Sequence, residues 1–136
     1  MDLIEIYKQN EFLLRDNSEE IWFSISNQMN KKYFELPFAI ITASNPMNEN
    51  LPDEENKIRN AQLQENLKAL GYDYVATVGR LGEHSEESFL IYNITLADAL
   101  TIATYYEQYS IFYNDTKQLS YAECKKQKVL LSEEIL

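Results

Sequence analysis

A group of amide and guanidinium side chains follows the most apolar segment of the sequence. Asn45 comes shortly after the uncharged run 38–42, and Asn56, Arg59 and Asn60 follow within the next predicted helix. Asn56 and Asn60 are four residues apart and therefore share a helix face. Two amides beside an arginine at the end of a strand suit an anion or another polar group. We therefore expect a small-ligand site where this strand ends.

The same side chains have a structural alternative. Buried asparagines commonly hydrogen-bond to the backbone of turns. The loop of residues 43–51, which contains the turn-forming Asn45-Pro46 pair, offers such backbone groups. The sequence leaves the ligand role and the structural role open.

A polar connector, residues 79–88, supplies the second set of candidates. Its Arg80 is expected to reach the ligand site, and Glu83, His84 and Glu87 are weak catalytic candidates because carboxylates and imidazole act as general bases. The glycines of this connector match no phosphate-binding fingerprint. One histidine without a thiolate cluster predicts no metal site, and we expect no cofactor. Whether the protein is an enzyme stays open.

Hydrophobic periodicity predicts the elements that must position these residues. We expect a strand over 38–42, a helix over 53–70 ended by Gly71, and a strand over 72–78. A strand over 88–94, a helix opened by Thr95 and a strand over 110–113 follow. This order, βαββαβ, is that of a ferredoxin-like split βαβ core, so the predicted fold class is α+β, an α/β sandwich with two helices on one face of the sheet.

The rest of the chain is expected to extend this core. We predict a single domain over residues 1–136, in which 1–37 add an N-terminal helix and strands to the core at 38–114. Residues 115–136 are predicted to form a C-terminal strand or tail.

Composition limits the partners. The 136 residues carry a formal net charge of -10, so direct binding of nucleic acid is not expected. No apolar run is long enough to span a membrane and no secretory leader is visible, which predicts a cytoplasmic protein. The single cysteine, Cys124, excludes an internal disulfide. The lysines beside Cys124 would favour a thiolate, but a nucleophilic role is disfavoured.

The polar cluster and the net charge leave two functions open. The favoured one is a domain that binds a small polar or anionic ligand. The alternative is an acidic module, without catalytic activity, that binds or inhibits a basic protein partner, as the net charge of -10 suggests. The oligomeric state is expected to be a monomer or a homodimer paired through an edge strand.

Several short motifs occur in an order that resembles a known family. The most specific are Thr42-Ala43-Ser44-Asn45-Pro46 and Asn56-Lys57-Ile58-Arg59-Asn60; Gly71-Tyr72, Glu87-Ser88-Phe89-Leu90 and Tyr106-Glu107-Gln108 are weaker. Together they resemble the bacterial domain of unknown function 3293 family over residues 38–113. The resemblance implies no activity. It implies that Asn45, Asn56, Arg59, Asn60 and Glu87 belong to one recurring pattern, whether structural or functional.

Overall fold

A computed structural model describes residues 2–136 as an α+β fold with three α-helices and one antiparallel sheet of eight strands. The helices are α1 (Leu3–Gln9), α2 (Asp53–Leu70) and α3 (Leu96–Tyr105). The strands are β1 (Glu11–Asp16), β2 (Glu19–Phe23), β3 (Phe38–Ile41), β4 (Tyr74–Leu81), β5 (His84–Tyr92), β6 (Ser110–Asn114), β7 (Gln118–Glu123) and β8 (Lys128–Glu134). Two short 3₁₀ turns, Lys31–Phe34 and Pro46–Asn48, precede and follow β3.

The strands lie in the order β2-β1-β4-β5-β3-β6-β7-β8, and every neighbouring pair is antiparallel. The α+β class is confirmed. The sheet is larger than the predicted one, because segment 115–136 forms two strands and the N-terminal hairpin β1–β2 joins the same sheet.

The central strand β3 shows how the two faces of the sheet are filled. Its side chains alternate, as those of any strand do. Ala39 and Ile41 pack with α2 and α3, whose Leu63, Leu67 and Ala103 are fully buried. Phe38 and Ile40 face a second core on the opposite side of the sheet. Since both faces are covered, a continuous apolar run is what this position requires.

Local signals begin and end the two longer helices. The Thr95 hydroxyl accepts a hydrogen bond from Asp98 N at 3.1 Å and caps α3. Gly71, with a φ of 79°, ends α2 in the left-handed conformation that glycine adopts without strain. Acidic residues occupy the first turn of α2, where they face the positive end of the helix dipole. The predicted bounds of α2 are confirmed.

The other face of the sheet is concave and holds a second core. Aromatic rings dominate it: Phe23, Phe34, Phe38 and Phe112 are each at most 1% exposed. The two edges of the sheet approach one another. Gln28, which follows β2 in the chain, donates from Nε2 to the carbonyl of Glu134 on β8 at 2.9 Å. The short helix α1 packs against the same core through Tyr7, whose ring stacks on Tyr121 with centroids 4.1 Å apart.

The predicted connector 79–88 was wrong. Strand β4 continues to Leu81 and β5 begins at His84, so only Gly82 and Glu83 form the turn. Gly82 has a φ of 58°, the positive value that a two-residue hairpin turn needs at its first position. Gly79 lies inside β4, where an added Cβ would stand 3.4 Å from the Phe12 ring. This glycine therefore allows a close approach and does not break the strand.

Within residues 2–136, no helix combines the length and the apolar character that a bilayer-spanning segment requires.

Candidate functional site

The predicted amide cluster forms where β3 ends and α2 begins. Asn60 is buried; its Oδ1 accepts from Ala43 N and its Nδ2 donates to Ser44 Oγ, each at 2.8 Å. Asn56 Oδ1 accepts from Asn45 N, and Asn56 Nδ2 donates to Asn45 Oδ1, each at 2.9 Å. The amides of Asn56 and Asn60 therefore hold the backbone and side chains of the 43–51 loop.

Arg59 joins the same loop to the end of α3. Its Nε donates to the carbonyl of Ala43 at 2.6 Å and its Nη2 to the carbonyl of Tyr106 at 2.5 Å. Its Nη1 lies 3.7 Å from a carboxylate oxygen of Glu107. Gln108 adds a bond from Nε2 to the carbonyl of Ser44 at 3.0 Å. The guanidinium is committed to protein carbonyls, which agrees with the structural alternative.

This cluster borders a small groove of about 240 Å³. The groove is lined by residues from the loop, the first turns of α2 and strand β5: Ser44, Asp53, Asn56, Lys57, Asn60, Ser85, Glu86 and Glu87. Asn56, Asn60 and Glu87 are thus brought together as the sequence indicated. A ligand at these residues stays a prediction.

The other sequence candidates lie apart from the groove. Arg80 faces the side of the sheet that carries Trp22, its guanidinium 3.5 Å from the centre of the Trp22 ring. Its Nε donates to Glu11 Oε1 at 3.0 Å. Glu83 and His84 are exposed at the tip of the β4–β5 hairpin, although His84 borders a larger cleft on the concave face.

The larger cleft has a volume of about 510 Å³ and lies between α1, the β4–β5 hairpin and the ends of β3 and β6. Ligand pockets of known proteins span about 300–1,000 Å³. Apolar side chains form much of its wall: Leu3, Ile6, Phe12, Ile40, Leu81, Ile111 and Phe112. Polar groups project between them: Tyr7, Thr42, Asn45, Glu86, Ser88, Ser110 and Tyr121.

Glu86 is the carboxylate of this cleft. Its Oε2 accepts a hydrogen bond from Asn45 Nδ2 at 3.2 Å. Burial raises the pKa of Glu86, and the hydrogen bond from Asn45 offsets only part of that rise. Within residues 2–136, no lysine, arginine or histidine nitrogen lies within 4.0 Å of this carboxylate. Glu86 is thus a half-buried acid that forms no ion pair with the described residues.

Tyr121, deeper in the cleft, has a second unsatisfied group. Its side chain is 3% exposed, and its hydroxyl forms no hydrogen bond of good geometry within residues 2–136, although the side chain of Asn10 lies nearby in the cleft. Tyr7, stacked on it, donates instead to Ser110 Oγ at 2.7 Å. Burial raises the pKa of Tyr121 far above its ordinary value, so the hydroxyl remains protonated. A neutral donor without a well-formed hydrogen bond therefore lines the cleft.

The charged residues that line the cleft do not balance one another. No lysine or arginine lines it among the described residues. The lining residues that titrate are Glu86, His84 and three tyrosines, Tyr7, Tyr109 and Tyr121. No three His, Cys, Asp or Glu side chains in the described part of the chain lie close enough together to hold a metal ion.

Sequence reasoning missed Glu86 and Tyr121 as site residues. Glu86 lies between exposed neighbours, and only the strand period, which puts it on the same face as Ser88 and Leu90, could have indicated burial. The strand period applies to Glu86 only if β5 begins at His84, whereas the sequence predicted a strand that begins at residue 88. Tyr121 carries no local signal, because its stacking partner Tyr7 comes from α1, at the other end of the chain.

The fold and the cleft define the class of this protein, an α+β domain with a ligand-sized cleft on the concave face of its sheet. The chain belongs to the family described as protein of unknown function (DUF3293), whose sequence profile matches residues 41–111. The resemblance seen in the sequence is therefore confirmed. The match runs from the last residue of β3 to the second residue of β6. No curated protein and no solved structure matches the chain.

Proposed function

We propose that this protein is a binding domain for a small polar molecule that enters the concave cleft. The observation that carries the proposal is Glu86, a half-buried carboxylate that forms no ion pair within residues 2–136 and lines a cleft of about 510 Å³. Burying a charged group without a partner costs free energy, and such costs concentrate at functional sites. The mixture of apolar wall and a few polar groups is typical of ligand pockets.

The proposal keeps the small-ligand prediction but moves the binding residues. Asn45 belongs to both regions, since its Oδ1 holds the loop while its Nδ2 reaches Glu86. Asn56, Arg59 and Asn60 would then act as positioning residues, because they hold the loop that carries Asn45. Arg59 is engaged with carbonyls, which argues against the anionic ligand that the sequence also allowed.

The test is a fragment screen read by backbone amide chemical shifts. The probes are neutral, cationic and anionic fragments of about ten heavy atoms. Binders are expected to shift the amides of Ser88 and Ser110, which line the cleft. A screen whose hits all shift residues outside the cleft, or a screen without hits, would overturn the proposal.

A matched pair of variants on β4 sharpens this test. Leu81 lines the cleft, whereas Val75 lies on the same strand, is 42% exposed and is outside the cleft. Leu81→Trp should weaken every cleft binder at least tenfold by filling space, and Val75→Trp should leave affinities unchanged. Equal effects of the two variants would count against a cleft site.

We also propose that β3–β6 with α2 and α3 form a ferredoxin-like unit. The support is the order β4-β5-β3-β6, the antiparallel pairing of these strands, and the placement of both helices against one core. An experimental structure in which α2 and α3 lie on opposite faces would contradict it.

A further inference from the structure

Glu86 and its surroundings carry information about the charge of the ligand. The carboxylate is half-buried and accepts a hydrogen bond from Asn45 Nδ2, and within residues 2–136 no cationic nitrogen lies within 4.0 Å of it. Lys57 lines the small groove on the other side of Glu86 but forms no ion pair with it. A half-buried carboxylate without an ion pair is costly, so a complementary positive charge is the strongest partner that a ligand could supply.

An anionic ligand has no equivalent partner in this cleft. No lysine or arginine lines it within the described residues, and a negative group would meet the field of Glu86 at short range. The formal net charge of -10 adds a long-range field that attracts cations and repels anions.

The remainder of the cleft limits the body of the ligand. Phe12, Ile40 and Leu81 offer an apolar wall beside Glu86. Further in, the buried hydroxyl of Tyr121 forms no well-formed hydrogen bond within residues 2–136, and the Ser110 hydroxyl, which accepts from Tyr7, can still donate its own proton. A molecule with one cationic end and an apolar or aromatic body satisfies these groups better than a fully polar molecule.

We infer that the cleft selects an organic cation, an ammonium or amidinium group that pairs with Glu86 while an apolar or aromatic body lies against Phe12 and Ile40. This inference rests on the proposed function and specifies its ligand class. The Tyr121 hydroxyl hydrogen-bonds to a polar atom at the far end of that body when the ligand carries one.

Three probes of nearly equal shape test the inference: benzylamine, benzyl alcohol and benzoate. Affinities come from titrations that follow the amides of Ser88 and Ser110. Benzylamine is expected to bind at least tenfold more tightly than the other two. If benzyl alcohol or benzoate binds in the cleft as tightly as benzylamine, the cleft is a ligand site but the inference is wrong. If none of the three, and no fragment of the wider screen, shifts the cleft amides, the proposed function fails as well.

A matched pair of glutamine variants assigns the effect to Glu86. Glu87 is the next residue on β5, is exposed and points to the opposite face. Glu86→Gln should remove the preference for benzylamine over benzyl alcohol and leave the affinity for benzyl alcohol within about twofold. Glu87→Gln should keep the preference. A preference that survives Glu86→Gln would overturn the inference.

The wild-type protein provides a test that needs no variant. Benzylamine stays protonated at neutral and acidic pH, so its affinity should fall as the Glu86 carboxylate is protonated on acidification. The affinity for benzyl alcohol should not fall in this way. The other titratable residues that line the cleft in the described part of the chain are His84 and three tyrosines. The loss of benzylamine affinity must therefore persist in His84→Gln, which removes the imidazole from the cleft. A loss that disappears with His84 would overturn the assignment to Glu86.

Discussion

The two faces of the sheet differ in how tightly they are packed and in how completely their polar side chains are hydrogen-bonded. On the helix-bearing face, Leu63, Leu67 and Ala103 are fully buried, and the polar side chains at the end of β3 find partners in the adjoining loop. On the concave face, the aromatic core stops short and leaves a cleft in which Glu86 and Tyr121 lack full partners. The polar groups of the first face are satisfied within the fold, whereas those of the second are the groups to which the proposed ligand would bind.

The largest expected effect lies in the satisfied cluster. Asn60→Ala leaves the N–H of Ala43 buried without its acceptor, so the free energy of unfolding should fall by about 2–3 kcal/mol in urea denaturation. Gln62→Ala, on an exposed position of α2, serves as control and should change stability by less than about 0.5 kcal/mol. A loss similar to that of the control would show that the cluster does not hold the loop.

Unlike Asn60, Glu86 should destabilise the folded protein, and this destabilisation should grow as the pH rises. Burial raises the pKa of Glu86 in the folded state, so the folded protein holds this proton more tightly than the unfolded chain. Its contribution to stability is therefore complete in acid and is lost as the pH rises through the folded pKa. Glu86→Gln should be more stable than the wild type at neutral pH, and the difference should shrink on acidification.

Melting temperatures from acidic to neutral pH measure this difference. Glu87→Gln, whose carboxylate is exposed, controls for the change in net charge. A constant difference across the pH range would contradict burial of the Glu86 charge.

A smaller effect with a reversed sign is expected deeper in the cleft. Tyr121→Phe removes an unpartnered hydroxyl and should raise the free energy of unfolding by about 1 kcal/mol. Tyr7→Phe removes a hydroxyl that donates to Ser110 and should lower it by a similar amount. Urea denaturation measures both changes in the free energy of unfolding. If both variants change it in the same direction, the two hydroxyls do not differ in their hydrogen bonding.

The reactivity of the Cys124 thiol tests the packing of the helix-bearing face. This thiol is 3% exposed in the core of the helix-bearing face, and burial raises its pKa to about 11. Because thiolates react and thiols do not, modification by Ellman's reagent should be roughly a hundred times slower in the folded protein than in urea. Rapid modification of the folded protein would show that this face opens more readily than its packing indicates.

Local chemistry predicted a large part of the fold. The capping signals at Thr95 and Gly71 set helix ends because they act within one turn of the chain. The uncharged run 38–42 predicted the strand β3. The β4–β5 hairpin was misread, because Gly79 serves the approach of Phe12 from a strand 67 residues earlier, a contact that leaves no local trace.

The sequence by itself determined the α+β class, the family and the grouping of Asn45, Asn56 and Asn60, since these depend on periodicity and spacing along one segment. Only the tertiary structure decided that these amides serve the loop and that Glu86 and Tyr121 face a shared cleft. Whether a polar side chain is satisfied depends on groups that the curled sheet brings from distant strands and from α1. That information lies in three-dimensional proximity and not in residue type.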